Sequence, residues 1–121
     1  MEETIYDVIV AEDQEAVQQL LSSYITCKGL NPIIFKTVAQ ATRYIETRNI
    51  RPKILSDVET PGHPDDPINF FHTAKRMGFG DAFAFYTANS PDSDRDLIEK
   101  TGALHILKDD LGALDRFLDS N

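Results

Sequence analysis

Several short apolar runs in this sequence end in acidic, hydroxyl or amino side chains that suit phosphoryl chemistry. Glu12 and Asp13 follow the first run, Asp57 the third, Thr87 the fourth and Lys108 the fifth. If the runs are parallel strands, their carboxyl ends lie along one edge of a sheet and these side chains meet there. Three adjacent carboxylates repel one another, and a hard divalent cation such as Mg²⁺ relieves that repulsion. Asp57 would then attack phosphorus, with Thr87 and Lys108 contacting the phosphoryl oxygens.

Each of these residues also has an ordinary structural explanation. An aspartate after a strand is most often a turn former or a helix cap, and Glu12–Asp13 would suit the positive end of a following helix. Thr87 is a common type of residue at a strand end, and a lysine such as Lys108 usually faces solvent. The functional interpretation is favoured because all five residues are expected at the same sheet edge.

Composition limits the possible classes of protein. The chain has 121 residues, a formal net charge of −8 and a single cysteine, Cys27. We expect one domain over residues 1–121 and no internal disulfide, as in a reducing cytoplasm. No apolar run is long enough to span a membrane, and the first residues lack the basic start of a signal peptide. So acidic a chain is not expected to bind nucleic acid or membranes directly.

Five short segments have the composition of buried strands. They are rich in β-branched and aromatic residues, and most are bounded by polar or turn-forming residues. The predicted strands are Thr4–Val10, Pro32–Lys36, the apolar run Ile54–Leu55 that leads through Ser56 to Asp57, Ala82–Tyr86 and Ala103–Leu107.

Helical spacing separates the predicted strands. Apolar residues recur every three or four positions in the first and last of these segments, which predicts one buried face on each helix. These faces consist of Val17, Leu20, Leu21, Tyr24 and Ile25, and of Leu111, Leu114, Phe117 and Leu118. The remaining signals are a capping box at Thr37–Gln40, a cap at Asp66 before Pro67, a helix opening at Ser90–Pro91, and helix stops at Gly29 and Gly78.

Alternation of five strands with five helices predicts the α/β class. Right-handed crossovers make a doubly wound parallel sheet the expected arrangement, with a ligand crevice at the carboxyl ends of the strands. The residue pattern itself leaves the order of the strands open.

Four motifs in order resemble the receiver domain of two-component response regulators. They are VIVAED with Glu12–Asp13, ILSDVETP with Asp57, FYTA with Thr87, and GALHILK with Lys108. The resemblance covers essentially the whole chain, whose length is similar to that of the stand-alone chemotaxis regulator. It implies a flavodoxin-like sheet of order 2-1-3-4-5. It also implies a phosphoacceptor signalling domain and not an enzyme, with self-phosphorylation from donors and autodephosphorylation as its only reactions.

The resemblance also implies roles for particular residues. Asp57 would accept phosphate from a phosphohistidine on a sensor kinase or phosphotransfer protein. Thr87 and Lys108 would contact the phosphoryl group, and Thr87 with His105 would form the switch. A downstream protein, or a second copy in a homodimer, would bind the face of helix four, strand five and helix five. The Mg²⁺ ligands would be Glu12, Asp13, Asp57 and the backbone carbonyl of Glu59, and hydrolysis would be tuned by Glu59 and Asn89.

Three positions depart from the family pattern. Glu12 replaces the commoner aspartate and lengthens the side chain by one methylene. Asp109 replaces the proline that usually follows the lysine, where a cis bond before a non-proline residue would cost about 2.5–4 kcal/mol. His105 stands where the family has an aromatic switch residue, and its imidazole would titrate near neutral pH.

Two other functions fit parts of the sequence. Asp57-Val58-Glu59-Thr60 is close to the Asp-x-Asp-x-Thr motif of haloacid-dehalogenase-type phosphatases, although that nucleophile ends the first strand and would leave Glu12–Asp13 without a role. A pseudo-receiver, with the same fold but no phosphorylation, would use the surface for interaction or dimerisation.

Overall fold

The computed structural model describes residues 5–47, 52–58, 65–88 and 92–120, and this part of the chain contains a five-stranded parallel sheet. The strands are β1 (Val8–Ala11), β2 (Pro32–Phe35), β3 (Lys53–Ser56), β4 (Phe83–Thr87) and β5 (Leu104–Leu107). Their order is β2-β1-β3-β4-β5, and all four neighbouring pairs are parallel. The predicted doubly wound α/β sheet, with the order that the family resemblance implies, is confirmed.

Helices connect successive strands of the sheet. They are α1 (Glu15–Cys27), α2 (Val38–Glu46), α3 (Asp66–Arg76), α4 (Asp92–Thr101) and α5 (Leu111–Asp119). Gly29 and Gly78 follow α1 and α3 with φ of 81° and 93°, in the left-handed region that glycine tolerates best. The predicted helix stops at these two glycines are confirmed. The Thr37 hydroxyl accepts a hydrogen bond from the Gln40 N–H, as expected of the predicted cap.

Alternating side chains of the strands build a core on each face of the sheet. In β1, Val8 and Val10 pack in one cluster and Ile9 and Ala11 in the other. The first cluster takes in α1 and α5 through Leu21, Ile25, Leu114, Phe117 and Leu118. The second takes in α2 and α3 through Val38, Ala41, Ile45, Phe70, Phe71 and Ala74. Both faces are therefore covered, as a parallel sheet requires.

Aromatic rings fix β4 against α3. The Phe83 ring makes edge-to-face contacts with Phe70, Phe71 and Phe85, at centroid distances of 5.2, 5.3 and 5.0 Å. Such pairs stabilise a core beyond the area that they bury. Tyr86 and Thr87 follow these rings directly along β4, so the packed rings fix the position of the carboxyl end of the strand.

The structure corrects two predictions about buried faces. Leu20 and Leu111 were expected in the cores, but both side chains are exposed. The buried stripe of α1 runs through Leu21 and Ile25, one turn apart, and Leu20 lies about 100° from Leu21 around the helix. Leu111 is the first residue of α5, and the buried stripe begins one turn later at Leu114.

Element boundaries also differ from the predictions. Helix α3 begins at Asp66, with Asp65 in the N-cap position, so the prediction that Asp66 is the cap was wrong by one residue. Pro67 still lies in the first turn, where its missing N–H costs nothing. Strand β4 starts at Phe83 because residues 80–82 form a 3₁₀ turn. The predicted helix opening at Ser90–Pro91 lies outside the described residues.

Candidate functional site

Glu12 follows β1 directly, and both its backbone N–H and its backbone carbonyl are hydrogen-bonded. Its N–H donates to the carbonyl of Phe35 at 2.9 Å, which extends the β1–β2 pairing by one residue. The Gln18 side chain donates to the Glu12 carbonyl at 2.6 Å, and the Gln14 N–H donates to Glu12 Oε1 at 3.1 Å. Glu12 Oε1 therefore accepts a hydrogen bond at the start of α1, and Oε2 does not take part in that bond.

Asp57 is fixed at the same edge by the neighbouring strand. Its N–H donates to the carbonyl of Ala11 at 2.9 Å, one step beyond the last paired residues of β1 and β3. The Ser56 hydroxyl donates to the Asp57 carbonyl at 3.0 Å. Asp57 is buried, and it lies beside Glu12 because the ends of β1 and β3 are adjacent.

The three predicted metal-binding carboxylates come together. One carboxylate oxygen each from Glu12, Asp13 and Asp57 lies within 4.8 Å of the others. An all-oxygen, acidic donor set is the type that Mg²⁺ prefers. Among the described residues, Glu12 Oε2 is also the buried side-chain polar atom without a hydrogen bond. The residues therefore fit a hard divalent cation.

Lys108 places its ammonium between two of these carboxylates. Its Nζ lies 2.9 Å from Glu12 Oε2 and 3.1 Å from Asp57 Oδ2. The contact with Asp57 is a hydrogen bond, whereas the closer contact with Glu12 is an ion pair without hydrogen-bond alignment. The ammonium offsets part of the charge of these two carboxylates.

Burial and charge pairing act in opposite directions on the pKa of Glu12 and on that of Lys108. Burial raises the pKa of Glu12, and the nearby Asp57 charge raises it further, while the Lys108 contact opposes both. Burial alone would lower the pKa of Lys108, but the carboxylates of Glu12 and Asp57 outweigh it and hold that pKa above its usual value. Lys108 is therefore a cation at neutral pH.

Thr87 and His105, the predicted switch pair, are hydrogen-bonded to each other. Thr87 Oγ1 and His105 Nε2 are 2.6 Å apart. His105 is paired in register with Phe85, so Thr87 lies two residues further along the same sheet face. Thr87 is buried at the end of β4, and its carbonyl accepts the Lys108 N–H at 2.7 Å. The family resemblance implied a switch role for both residues but gave no sign of the bond between their side chains.

Two predicted site residues, Glu59 and Asn89, which were expected to tune hydrolysis, lie outside the described part of the chain.

Three residues that support the site or the adjacent helix α5 were not predicted from the sequence. Gln18 and Tyr86 bond to the backbones of Glu12 and Lys108, and Asp110 caps α5 by accepting the Ala113 N–H at 3.0 Å. An aspartate just before an apolar helical run is a usable capping signal. A tyrosine in a buried strand indicates that its hydroxyl needs an acceptor.

Known structures of similar shape are receiver domains. A response regulator receiver protein from Pseudomonas putida is 16% identical, with a TM-score of 0.74 over 94% of this chain and 95% of that one. The receiver domain of a sensor histidine kinase from Pseudomonas aeruginosa, with magnesium in its active-site cleft, is 21% identical, with a TM-score of 0.76 over 93% of both chains. The chemotaxis protein CheY4 of Vibrio cholerae is 15% identical, with a TM-score of 0.73 over 94% of this chain and 99% of its own.

Sequence comparison adds no closer relationship. No protein-family model matches the chain, and neither does any curated protein. The likeness is therefore one of fold, and this chain has the fold of response-regulator receiver domains. Within the described residues, no helix has the length and apolar content needed to cross a membrane.

Proposed function

We propose that this chain is a response-regulator receiver domain in which Asp57 accepts a phosphoryl group. The observation that carries the proposal is the Glu12, Asp13 and Asp57 carboxylates within 4.8 Å of one another, with the Lys108 ammonium 3.1 Å from Asp57. The donor is a phosphohistidine on a sensor histidine kinase or a histidine phosphotransfer protein. The setting is the cytoplasm, where two-component phosphotransfer takes place.

In the proposed transfer, Asp57, Lys108 and Thr87 have separate roles. An Asp57 carboxylate oxygen attacks phosphorus, the P–N bond to the donor histidine breaks, and the released imidazole nitrogen takes up a proton. Lys108 moves from Asp57 Oδ2 to a phosphoryl oxygen, and the Thr87 hydroxyl donates to another. Mg²⁺, held by Glu12, Asp13, Asp57 and the Glu59 carbonyl, would supply positive charge to offset that of the phosphoryl group.

Phosphorylation would act on the surface through Thr87. Its hydroxyl hydrogen-bonds to His105, and a phosphoryl group on Asp57 competes for that hydroxyl. Release of His105 changes β5 and, through it, the face formed by α4, β5 and α5. Leu104 and Leu111 are exposed on β5 and α5 and offer apolar contacts to a downstream protein or a second copy. Glu59 and Asn89 would set how fast the acyl phosphate hydrolyses.

The decisive experiment is phosphorylation by a small donor. The protein is incubated with Mg²⁺ and acetyl phosphate, and its mass is measured with and without EDTA. A Mg²⁺-dependent gain of one phosphate is expected in the wild type and not in Asp57→Asn. Asp115→Asn is the matched control, because Asp115 also bonds to a lysine but lies on α5.

The other outcomes identify the competing functions. Multiple turnover of phosphate monoesters would indicate a haloacid-dehalogenase-type phosphatase. Absence of both phosphate uptake and Mg²⁺ binding would indicate a pseudo-receiver, in which Lys108 alone neutralises the carboxylates. Beryllium fluoride provides a second test, since it should shift the amide signals of α4 and β5 in the wild type.

A further inference from the structure

Tyr86 is a buried tyrosine on β4 that follows the core aromatic residues and precedes Thr87. Its ring packs in the cluster formed with α1 and α5, and its hydroxyl donates to the carbonyl of Lys108 at 3.2 Å. A buried hydroxyl requires such an acceptor, since an unpaired one is costly. Burial raises the Tyr86 pKa, so the hydroxyl remains protonated and able to donate at neutral pH.

Two consecutive residues of β4 fix the backbone of Lys108. The Lys108 N–H donates to the Thr87 carbonyl at 2.7 Å, and the Lys108 carbonyl accepts from Tyr86. The Tyr86 ring also lies beneath the lysine side chain, with Nζ 6.0 Å from its centroid, at the outer limit of a cation–π contact. Tyr86 therefore contacts Lys108 at both its backbone and its charged end.

Lys108 lies in the turn between β5 and α5, where the hydrogen bond from Tyr86 restrains its backbone. Asp109 has no ring to restrict its backbone, and the turn is closed by the Asp110 N–H donating to the Leu107 carbonyl at 3.0 Å. The Lys108 carbonyl lies inside this turn and is bonded by a side chain from the neighbouring strand. A lysine has four rotatable side-chain bonds, so its backbone must be fixed if the ammonium is to stay between Glu12 and Asp57.

We propose that Tyr86 is the positioning residue for Lys108, and thereby sets the rate of phosphoryl transfer to Asp57. The inference rests on the proposed function for its effect on rate, but the placement of Lys108 can be measured without it. The Tyr86 hydroxyl is bonded to the Lys108 carbonyl, and its proposed role requires no contact with the phosphoryl group. It acts by holding the ammonium, and displacements of about 1 Å at a reacting centre are known to lower rates substantially.

The test compares Tyr86→Phe, which removes the hydroxyl and keeps the ring, with Tyr24→Phe. Tyr24 also donates its hydroxyl to a partner, Asp115, but does so at the α1–α5 contact. With acetyl phosphate and saturating Mg²⁺, Tyr86→Phe should lower the phosphorylation rate about three- to tenfold, the usual effect of one hydrogen bond. Tyr24→Phe should leave the rate unchanged. Mg²⁺ affinity should change less than about twofold in both variants, since the carboxylates are untouched.

A double-mutant cycle separates positioning from general damage. In a Lys108→Met background, Tyr86→Phe should have no further effect on the rate, because its action passes through the lysine ammonium. An equal loss with and without Lys108 would overturn the inference, as would a Tyr86→Phe rate equal to that of the wild type. The unfolding temperatures of all variants are measured alongside.

A second readout does not need phosphorylation. The ¹³Cε signal of Lys108 reports the surroundings of its ammonium in the metal-free protein, and Tyr86→Phe should shift this signal. An unchanged signal would overturn the positioning role even if phosphate uptake is normal. If the wild type takes up no phosphate while the signal shifts, the proposed function fails and the positioning of Lys108 stands.

Discussion

Two groups of charged side chains in this molecule each combine one lysine with two carboxylates, but their surroundings differ. In each, one lysine ammonium lies about 3 Å from two carboxylates. We call them the rim cluster, which consists of Lys108, Glu12 and Asp57, and the helix cluster, which consists of Lys28, Asp115 and Asp119. The rim cluster lies at the carboxyl ends of the strands, and the helix cluster joins α1 to α5.

Burial separates the two clusters. The side chains of Glu12 and Asp57 are 1% and 8% exposed, whereas those of Asp115 and Asp119 are 46% and 66% exposed. Hydrogen bonds from Tyr24 and Lys28 lower the pKa of Asp115, as ordinary pairing does.

The pKa of Glu12 is shifted in the opposite direction to that of Asp115. Burial raises its pKa even though Lys108 lies only 2.9 Å away. Pairing therefore prevails at Asp115 in the helix cluster, and loss of hydration prevails at Glu12 in the rim cluster. A buried carboxyl group whose pKa is raised by its surroundings is typical of a site that serves a ligand rather than stability.

The largest expected difference between the clusters is in binding of Mg²⁺. Asp13→Asn removes one of the three carboxylates that converge at the rim, and it should weaken Mg²⁺ binding at least tenfold because both a ligand and a charge are lost. Isothermal titration calorimetry on the metal-free protein measures this. Asp115→Asn removes the same charge from the helix cluster and should leave the affinity unchanged. Equal losses in both variants would mean that overall acidity, and not the group of Glu12, Asp13 and Asp57, attracts the cation.

The next effect is on stability, where the clusters should respond with opposite signs. Glu12→Gln keeps the shape of the side chain and removes a buried charge, while Lys108 retains Asp57. In metal-free protein at pH 7 we expect the free energy of unfolding to rise by an amount of the order of 1 kcal/mol. Asp115→Asn should instead lower it slightly. Urea denaturation in EDTA measures both, and a destabilised Glu12→Gln would mean that pairing prevails at the rim as well.

The pH dependence of this difference follows from the raised pKa of Glu12. A carboxyl whose pKa is higher in the folded state than its usual 4.5 favours folding below that value, and this contribution is lost as the pH rises through the folded-state pKa. Above its folded-state pKa the wild type has lost it. The advantage of Glu12→Gln should therefore be largest above the folded-state pKa of Glu12 and shrink as the pH falls toward 4.5. An advantage that grows on acidification would contradict the raised pKa.

The rim cluster could be predicted from sequence because its placement follows from topology. Once strands and helices alternate, the residues after β1, β3, β4 and β5 must share one edge, whatever their side-chain packing. Glu12, Asp57, Thr87 and Lys108 were therefore identified without any distance. The bond between Thr87 and His105 depends on rotamers and register, and neither can be read from composition.

The helix cluster could not be predicted, for a physical reason. Tyr24 and Asp115 are 91 residues apart, and their contact depends on how α1 and α5 cross the sheet. Tyr24 was assigned by its spacing to the apolar face of the first helix, and it does pack beside that core while its hydroxyl reaches Asp115. Helical spacing places a side chain within about one position, which is also why Leu20 was wrongly expected in the core.

The smallest effect is expected within the helix cluster itself. Lys28→Met removes the ion pairs to Asp115 and Asp119, both 3.0 Å long, and keeps the apolar part of the side chain that lies near Tyr24. Exposed pairs contribute little and are screened by salt. We expect a slightly lower urea midpoint at low ionic strength, a difference that vanishes near 1 M salt, and unchanged Mg²⁺ affinity. Lys36→Met, at an exposed lysine just after β2, is the matched control. A loss larger than the gain from Glu12→Gln, or one that persists in high salt, would mean that the two clusters do not differ in the way their burial implies.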